Sequence, residues 1–465
     1  MAANDTMEKI VALSKRRGFV YQGSEIYGGL AGTWDYGPLG VALKKNIENL
    51  WWRMFVENRD DMFGVDAAIL MHPKVWESSG HVAGFADPLV ECEKCHQKDR
   101  ADILIARVRG DSVLPADPEA QRNILNDLKI KCPSGGDHNW MQPRQFNMMF
   151  QTQIGAVEGS ISYLRPETAG GIFVNFKNVV DSLHPKLPFG IAQIGKAFRN
   201  EIAPRDFIFR SREFSQMEIE YFVRPDSWEQ HFENWRKDVH EFIDAVGIEK
   251  EGVHELEVAA EDRAHYSKRT IDFEFDFPFG RKELFGLAYR TDFDLRAHQT
   301  GSSTDLSYRE EGEEPFVPHV IEPSFGVERA LLAVLASAYT EDELGGEKRV
   351  YLKFKPSVAP IKAAVFPLLK NKPELVEKAR EVYTSLKKEI PQIVWDDNGN
   401  IGKRYRRQDE IGTPYCMTID FDTLGEVPEH KDTVTVRDRD TGQQERMPIT
   451  ELATFLKKHI APVLG

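Results

Sequence analysis

Between Phe198 and Glu218 the chain reads FRNEIAPRDFIFRSREFSQME, which sets arginines, glutamates and an aromatic between two apolar runs. Arg199, Asn200 and Glu201 close the first run. A loop follows with Phe209, Arg210, Ser211, Arg212 and Glu213, and Phe214 opens the second run. The pattern predicts a hairpin with its charges at the mouth. Guanidinium forks match phosphate oxygens, a carboxylate accepts from an exocyclic amine, and an aromatic face stacks on a purine, so a nucleoside triphosphate suits such a place. A surface hairpin laced with ion pairs uses the same residue types, and this stretch alone does not decide between the two.

Two other stretches carry chemistry. YLRPETAGG, Tyr163 to Gly171, sets Glu167 beside Thr168 and a glycine pair; an acid there also suits a plain helix start. PHVIEPSFGVER, Pro318 to Arg329, reads as a strand ending in Glu322, a turn at Gly326 and an arginine in the first turn of the apolar helix Ala330 to Tyr339. Helix packing explains the apolar run but not the charges at its entrance.

The hairpin resembles motif 2 of the class II aminoacyl-tRNA synthetases, and PHVIEPSFGVER resembles motif 3. The nearest likeness is to the glycyl-tRNA synthetases of single-chain, homodimeric type, since RPETAGG and EPSFG are glycine-type sequences. Motif 1, the dimer interface, is matched by the helical spacing of Leu39, Leu43, Ile47, Leu50, Trp51, Met54 and Phe55, followed by GVDAAILMHPKVW, read as a strand ending at Pro73. The likeness runs from Phe19 to the C-terminus. It implies glycine and ATP as substrates, tRNA(Gly) as partner, magnesium as cofactor, a homodimer, and an α+β fold: an antiparallel-sheet catalytic domain with a polar insertion, then a smaller α/β anticodon-binding domain.

The resemblance also implies roles. Arg199 would hold the α-phosphate, Glu201 the adenine amine, Phe214 its ring, and Arg329 the γ-phosphate or the adenine. These three charged residues would carry catalysis. Asn200, Phe209, Arg210, Ser211, Arg212, Glu213, Glu283, Leu284, Gly326, Val327 and Glu328 would complete the ATP site. Glycine would meet Glu167, Phe214, Ser215, Gln216, Met217, Glu218, Glu322, Pro323, Ser324, Phe325 and Gly326, with either Arg100 or Arg290 at its carboxylate. Glu283 and Glu322 would hold magnesium.

The rest of the chain must position these groups. At 465 residues it exceeds one ordinary core, so two domains and an insertion are expected, at 1–345 (insertion about 85–142) and 346–465, divided at Gly345-Gly346. A net charge of -14 argues against indiscriminate coating of nucleic acid. No run is apolar enough to span a bilayer or to act as a signal peptide, so a cytoplasmic protein without membrane contact is expected. The insertion holds Cys92, Cys95 and Cys132, with Gly135 where many relatives carry a fourth cysteine. His96 or His138 would complete a zinc site; the alternative is an insertion that has lost its metal. Asp226-x-x-Glu229 reads as a capping box before a helix ending at Gly247. Ile271, Phe273, Phe275 and Phe277 alternate with acids, as in a half-buried strand.

Beyond Gly346, strands near Ala363 to Phe366, Ile393 to Trp395 and Tyr415 to Ile419 alternate with helices, and a loop holds Lys403, Arg404, Tyr405, Arg406 and Arg407. Such a run suits a solvated loop as well as RNA. Its place resembles an anticodon-binding domain, where the four cations would meet phosphate and the tyrosine a base. The rival readings are a synthetase-like binding protein that has lost catalysis, or a class IIa enzyme for another amino acid. Retention of Arg199, Glu201 and Arg329 speaks against the first, and the glycine-type motifs against the second.

Overall fold

In the computed structural model, which describes residues 3–109, 117–156, 159, 161–264 and 266–462, the alternating aromatics and acids form the strand Arg269–Phe277 with its phenylalanines buried. This strand belongs to a seven-stranded sheet ordered Val253–Glu257, Arg269–Phe277, Gly280–Thr291, His319–Gly326, Glu213–Val223, Phe189–Phe198 and Met62–Gly64. All neighbours are antiparallel except the last pair.

The pleat sends successive side chains to opposite faces. Met217, Ile219, Tyr221, Ile321 and Phe325 share one core with residues of the helices Pro38–Trp52, Trp228–Val246 and Val327–Ala338. On the other face Phe222 and Val320 pack with Ile172, Phe173 and Phe176 of the helix Ala169–Leu183. That helix covers only one end of its face. Phe214, Gln216, Glu218, Glu322, Ser324 and Gly326 lie toward the other end, and this uncovered floor is a cleft.

Three local expectations differ. The run from Gly64 to Pro73 is a strand only at Met62–Gly64, with one isolated bridge between Leu70 and Leu164. There the Ala67 carbonyl accepts from the Arg165 guanidinium at 2.7 Å instead of from a neighbouring strand. The helix expected to be capped by Asp226 begins at Trp228 after Ser227, without a side-chain cap. Gly345 and Gly346, read as the break between domains, are instead the turn of the hairpin Tyr339–Leu344 and Glu347–Leu352. Both adopt left-handed φ, 63° and 79°, which suits glycine. The hairpin is fastened to the C-terminal unit by buried Arg349, which donates to the Arg439 carbonyl at 2.6 Å and faces Asp409 at 3.3 Å.

The insertion has its own sheet, ordered Lys98–Arg100, Ala86–Glu91 and Arg144–Asn147, so its last strand lies just past Gln142. Val90, Leu104, Ile105, Leu125 and Trp140 fill its small core. The C-terminal unit is a five-stranded sheet ordered Ile393–Trp395, Ala363–Pro367, Tyr415–Ile419, Thr433–Asp438 and Gln444–Pro448. Helices Pro373–Glu389 and Leu452–Ile460 share its larger core. The basic run expected as a loop is the helix Ile401–Glu410, because the Asn400 side chain accepts from the Lys403 amide at 2.9 Å and starts the first turn. Among the described residues no helix is long and apolar enough to cross a membrane.

Candidate active site

The cleft holds about 350 Å³. Its outer end is built by the hairpin of Phe189–Phe198 and Glu213–Val223, whose register sets Phe214 opposite Ala197 and Glu218 opposite Gln193. Just past the first strand, Arg199 is held by its Nε, which donates to the Pro166 carbonyl at 3.1 Å. Its guanidinium centre lies 5.2 Å from the Phe214 ring and 5.4 Å from Phe85. The terminal nitrogens make no hydrogen bond to the described residues, so an anion can take them. Glu201 is buried, and among the described residues its Oε2 has no hydrogen-bond partner and its nearest cation is Arg210, at 3.6 Å. Such an acceptor is costly to bury unless something donates to it. Arg329 pairs with Glu283 at 3.1 Å and lies 4.6 Å from the Phe209 ring. That arginine holds the Glu283 carboxyl below the usual range.

The inner end is a nest of acids. Glu218 accepts from Thr168 twice, through its amide at 3.1 Å and its hydroxyl, from Gln216 at 3.0 Å and from Ser324 at 2.9 Å. Its four acceptor positions are thereby filled. Burial and the charge of Glu167 push its carboxyl up. Burial also works against charge on Glu167, but His81, Arg290 and Arg199 outweigh it and bring the carboxyl down to about 2. Glu322 is pushed up to about 8, chiefly by burial, although Arg290 donates to it at 2.6 Å. Asp272, also in the cleft wall, is pushed up to about 7 by burial and by Glu283.

Not every expected residue joins this wall. Phe209, Arg210, Ser211, Leu284 and Glu328 do, whereas Met217, Pro323 and Phe325 alternate onto the opposite face and Val327 is in the core. Ser215 faces Lys44 at 2.8 Å, and its amide donates to Glu328 at 2.7 Å. Glu213 pairs with Lys196, Arg212 with the carbonyls of Glu201 and Ala31, and the Asn200 amide with Met148. Arg100 is bound to Asp87 and Asp102, and Arg290 to Asp294 and Glu322. Asp272, Tyr266, Glu220 and His81 emerge only in three dimensions. For Asp272 the signal was the acidic face of its strand; for His81 no local pattern existed.

Residues 156–338 match the model described as tRNA synthetase class II core domain (G, H, P, S and T), and residues 362–459 match the model described as anticodon binding domain. A glycine–tRNA ligase of Lachnospira eligens is 51% identical over 463 residues, covering 97% of this chain and 98% of its own. That of Clostridium acetobutylicum is 50% identical over 99% of this chain and 100% of its own, and that of Bacillus cereus 49% identical over 98% and 99%. The chain belongs to the glycine–tRNA ligase family.

In this member of the glycine–tRNA ligase family, the insertion gathers the Cys92, Cys95 and Cys132 sulfurs and a His138 ring nitrogen, all within 4.8 Å of one another. His138 is buried and stacked 4.3 Å from Trp140. His96, the other expected ligand, faces Glu91 at 3.2 Å with its side chain 77% exposed. A zinc tetrahedron with ~2.3 Å bonds to sulfur has edges near ~3.8 Å, so three thiolates and one imidazole at this spacing fit the ion with small adjustments. In the anticodon-binding domain, Arg404 is buried and donates to the carbonyls of Pro367, Asp397 and Gly399. Arg407 pairs with Asp396 and Arg406 with Glu347; Lys403 alone of the four is exposed. Tyr405 is hydrogen-bonded to Thr418 at 2.6 Å.

Proposed function

We propose that the cleft activates glycine with ATP and passes the glycyl group to tRNA(Gly), with the labour divided along its length. A carboxylate oxygen of glycine attacks the α-phosphorus and pyrophosphate leaves. A ribose hydroxyl at the tRNA 3′ end then attacks the glycyl carbonyl and AMP leaves. Neither step needs a protein nucleophile, so positioning and charge neutralisation do the work. Arg199, with its terminal nitrogens open, receives the α-phosphate and the carboxylate that attacks it. The unpartnered oxygen of Glu201 accepts the adenine amine, Phe214 stacks on the ring, and Arg329 stands by the outer phosphates.

At the inner end, Glu167 and Glu322 keep open acceptor positions and receive the ammonium group. Glu218, with its positions filled, fixes the Ser324 hydroxyl, which narrows the space beside the α-carbon. A filled, rigid pocket rejects larger amino acids by overlap. Arg100 and Arg290 are both already paired with carboxylates. The observation that carries this reading is the meeting of Glu167, Glu218, Glu322 and Ser324 in the same cleft as Arg199, Glu201 and Arg329.

Asp272 and Glu283, both in the cleft wall, offer the hard oxygen donors magnesium takes. Magnesium held there would neutralise charge on the triphosphate. Glu322, tied to Arg290, belongs to the amino-acid end. The Cys92, Cys95, Cys132 and His138 cluster supports a structural zinc in the insertion. Resemblance to motif 1 supports a homodimer. The C-terminal unit would bind the anticodon arm, with Lys403 the cation most open to phosphate.

The test is ATP–pyrophosphate exchange with each of the twenty amino acids, followed by charging of tRNA. Exchange with glycine and glycylation of tRNA(Gly) are expected. Exchange driven by another amino acid, or by none, would reject the reading.

A further inference from the structure

Glu167 differs from the other acids of the pocket in how little holds it. Glu218 is fixed by four donors and Glu322 by Arg290, whereas among the described residues only one side chain touches the Glu167 carboxylate. That side chain is His81, the one cation-forming group among the described residues within ion-pair distance, whose Nε2 lies 3.4 Å from Oε2, with both side chains 12% exposed. The opposite ring nitrogen, Nδ1, is 2.8 Å from the Ser79 hydroxyl.

The hydrogen positions follow from the partners. A carboxylate only accepts, so Nε2 carries the hydrogen that faces Glu167. The Ser79 hydroxyl donates to Nδ1 of the neutral ring or accepts from Nδ1–H of the imidazolium, and in either case this contact holds the ring orientation. The chain makes this geometry locally. Gly80 adopts φ of 84°, a left-handed turn between Ser79 and the short helix His81–Gly84. Trp76 and Phe85 hold the imidazole edge-on, each at 5.5 Å. Trp76 also fixes the segment against the helix that follows Glu167, since a β-carbon on Gly170 would come within 2.8 Å of its ring. Serine, histidine and glutamate in a row resemble a hydrolase triad, but Ser79 is only 7% exposed and is not in the cleft wall, so it is no nucleophile here.

We propose that His81 is a positioning residue for the amino acid: locked by Ser79, it aims the Glu167 carboxylate at the ammonium group of glycine. The inference rests on the reading of Glu167 as the acceptor of that ammonium. His81 is not part of the cleft wall and acts only through Glu167, so its loss changes the affinity for glycine and leaves ATP binding alone. A histidine that merely fills space between Trp76 and Phe85 would be replaced by another ring without such selectivity.

The experiment uses the full chain in glycine-dependent ATP–pyrophosphate exchange, with thermal melting of each variant. His81→Phe keeps ring and packing but has no donor; His81→Gln restores an amide N–H at similar reach; Ser79→Ala removes the lock. Expected are a KM for glycine raised at least tenfold in His81→Phe and roughly threefold in Ser79→Ala, with the KM for ATP and the melting temperature unchanged and most of the loss recovered in His81→Gln. Glu167→Gln is the control, and adding His81→Phe to it should cost nothing more. An unchanged glycine KM in a folded His81→Phe overturns the proposal, as does an equal rise in both KM values with a lower melting temperature. If His81→Phe does not fold, the same criteria apply to Ser79→Ala, where an unchanged glycine KM overturns it. If Glu167→Gln is also unimpaired, the reading of Glu167 fails; if Glu167→Gln is impaired while His81→Phe is not, only the role of His81 fails.

Discussion

Arg290 and Glu322 meet at 2.6 Å from neighbouring strands, and both are buried. The same guanidinium gives parallel bonds to Asp294 at 2.8 Å and lies 3.9 Å from the Tyr266 ring. One cation therefore balances Asp294 and donates to Glu322 under the glycine end of the cleft. Removing a partner from a buried pair leaves uncompensated charge, at a cost of about 3–5 kcal/mol. Arg290→Met should lower the unfolding free energy in urea by that amount and abolish glycine activation. A loss below ~1 kcal/mol would mean that water reaches Glu322 and Asp294.

Arg199 makes the opposite use of its charge. Among the described residues only its Nε is bound, and Phe85 and Phe214 flank a guanidinium open to the cleft. Arg199→Ala should leave the melting temperature nearly unchanged and reduce kcat/KM in pyrophosphate exchange by about 10²–10³, the loss of one transition-state donor. Exchange within a factor of about three of the parent would remove it from the phosphate site, since that is under ~1 kcal/mol of barrier.

The hairpin, the acidic strand and the α/β character of the C-terminal unit are legible in the chain because period-two and helical patterns are local. A motif read as a block overcounts, however. Ser215 to Glu218 are contiguous, yet the pleat turns Gln216 and Glu218 to the cleft, Met217 to the core and Ser215 toward Lys44. Long-range partners are silent in sequence. Arg404 looks available for RNA until the carbonyl of Pro367 arrives from a distant strand to join those of Asp397 and Gly399 just before its own helix, and His138 becomes the fourth member of the cysteine cluster only when the insertion closes on itself.

The cysteine cluster leads to a measurement. Three thiolates and His138 give zinc its full tetrahedral set, so the purified protein should hold one equivalent of zinc per chain by elemental analysis, and His138→Ala should weaken its retention against a chelator by at least tenfold. His96→Ala should retain zinc as the parent does, because His96 faces Glu91. A zinc-free protein with all four side chains intact would reject the site.

Glu220 follows Glu218 on the same face of its strand, where it is wholly buried, and among the described residues neither of its oxygens has a hydrogen-bond partner. Burial, and then the charge of Glu322, push its carboxyl well above the usual range, so the folded protein keeps a proton there that the unfolded chain gives up above pH ~4.3. The sign is set by that difference. Where the unfolded state binds fewer protons, stability falls as pH rises, here from the unfolded pKa up through the folded one. Glu220→Gln keeps the shape and removes the acid, so its stability relative to the parent should grow between pH 5 and pH 8 by up to ~1.4 kcal/mol per pH unit, the slope of one proton. Urea titrations of both proteins across that range give the difference curve. A flat curve would mean that Glu220 is ionised in the folded chain. Glycine activation at pH 7 should be nearly unchanged in Glu220→Gln, because a neutral carboxyl and a carboxamide place the same charge beside Glu218 and Glu322.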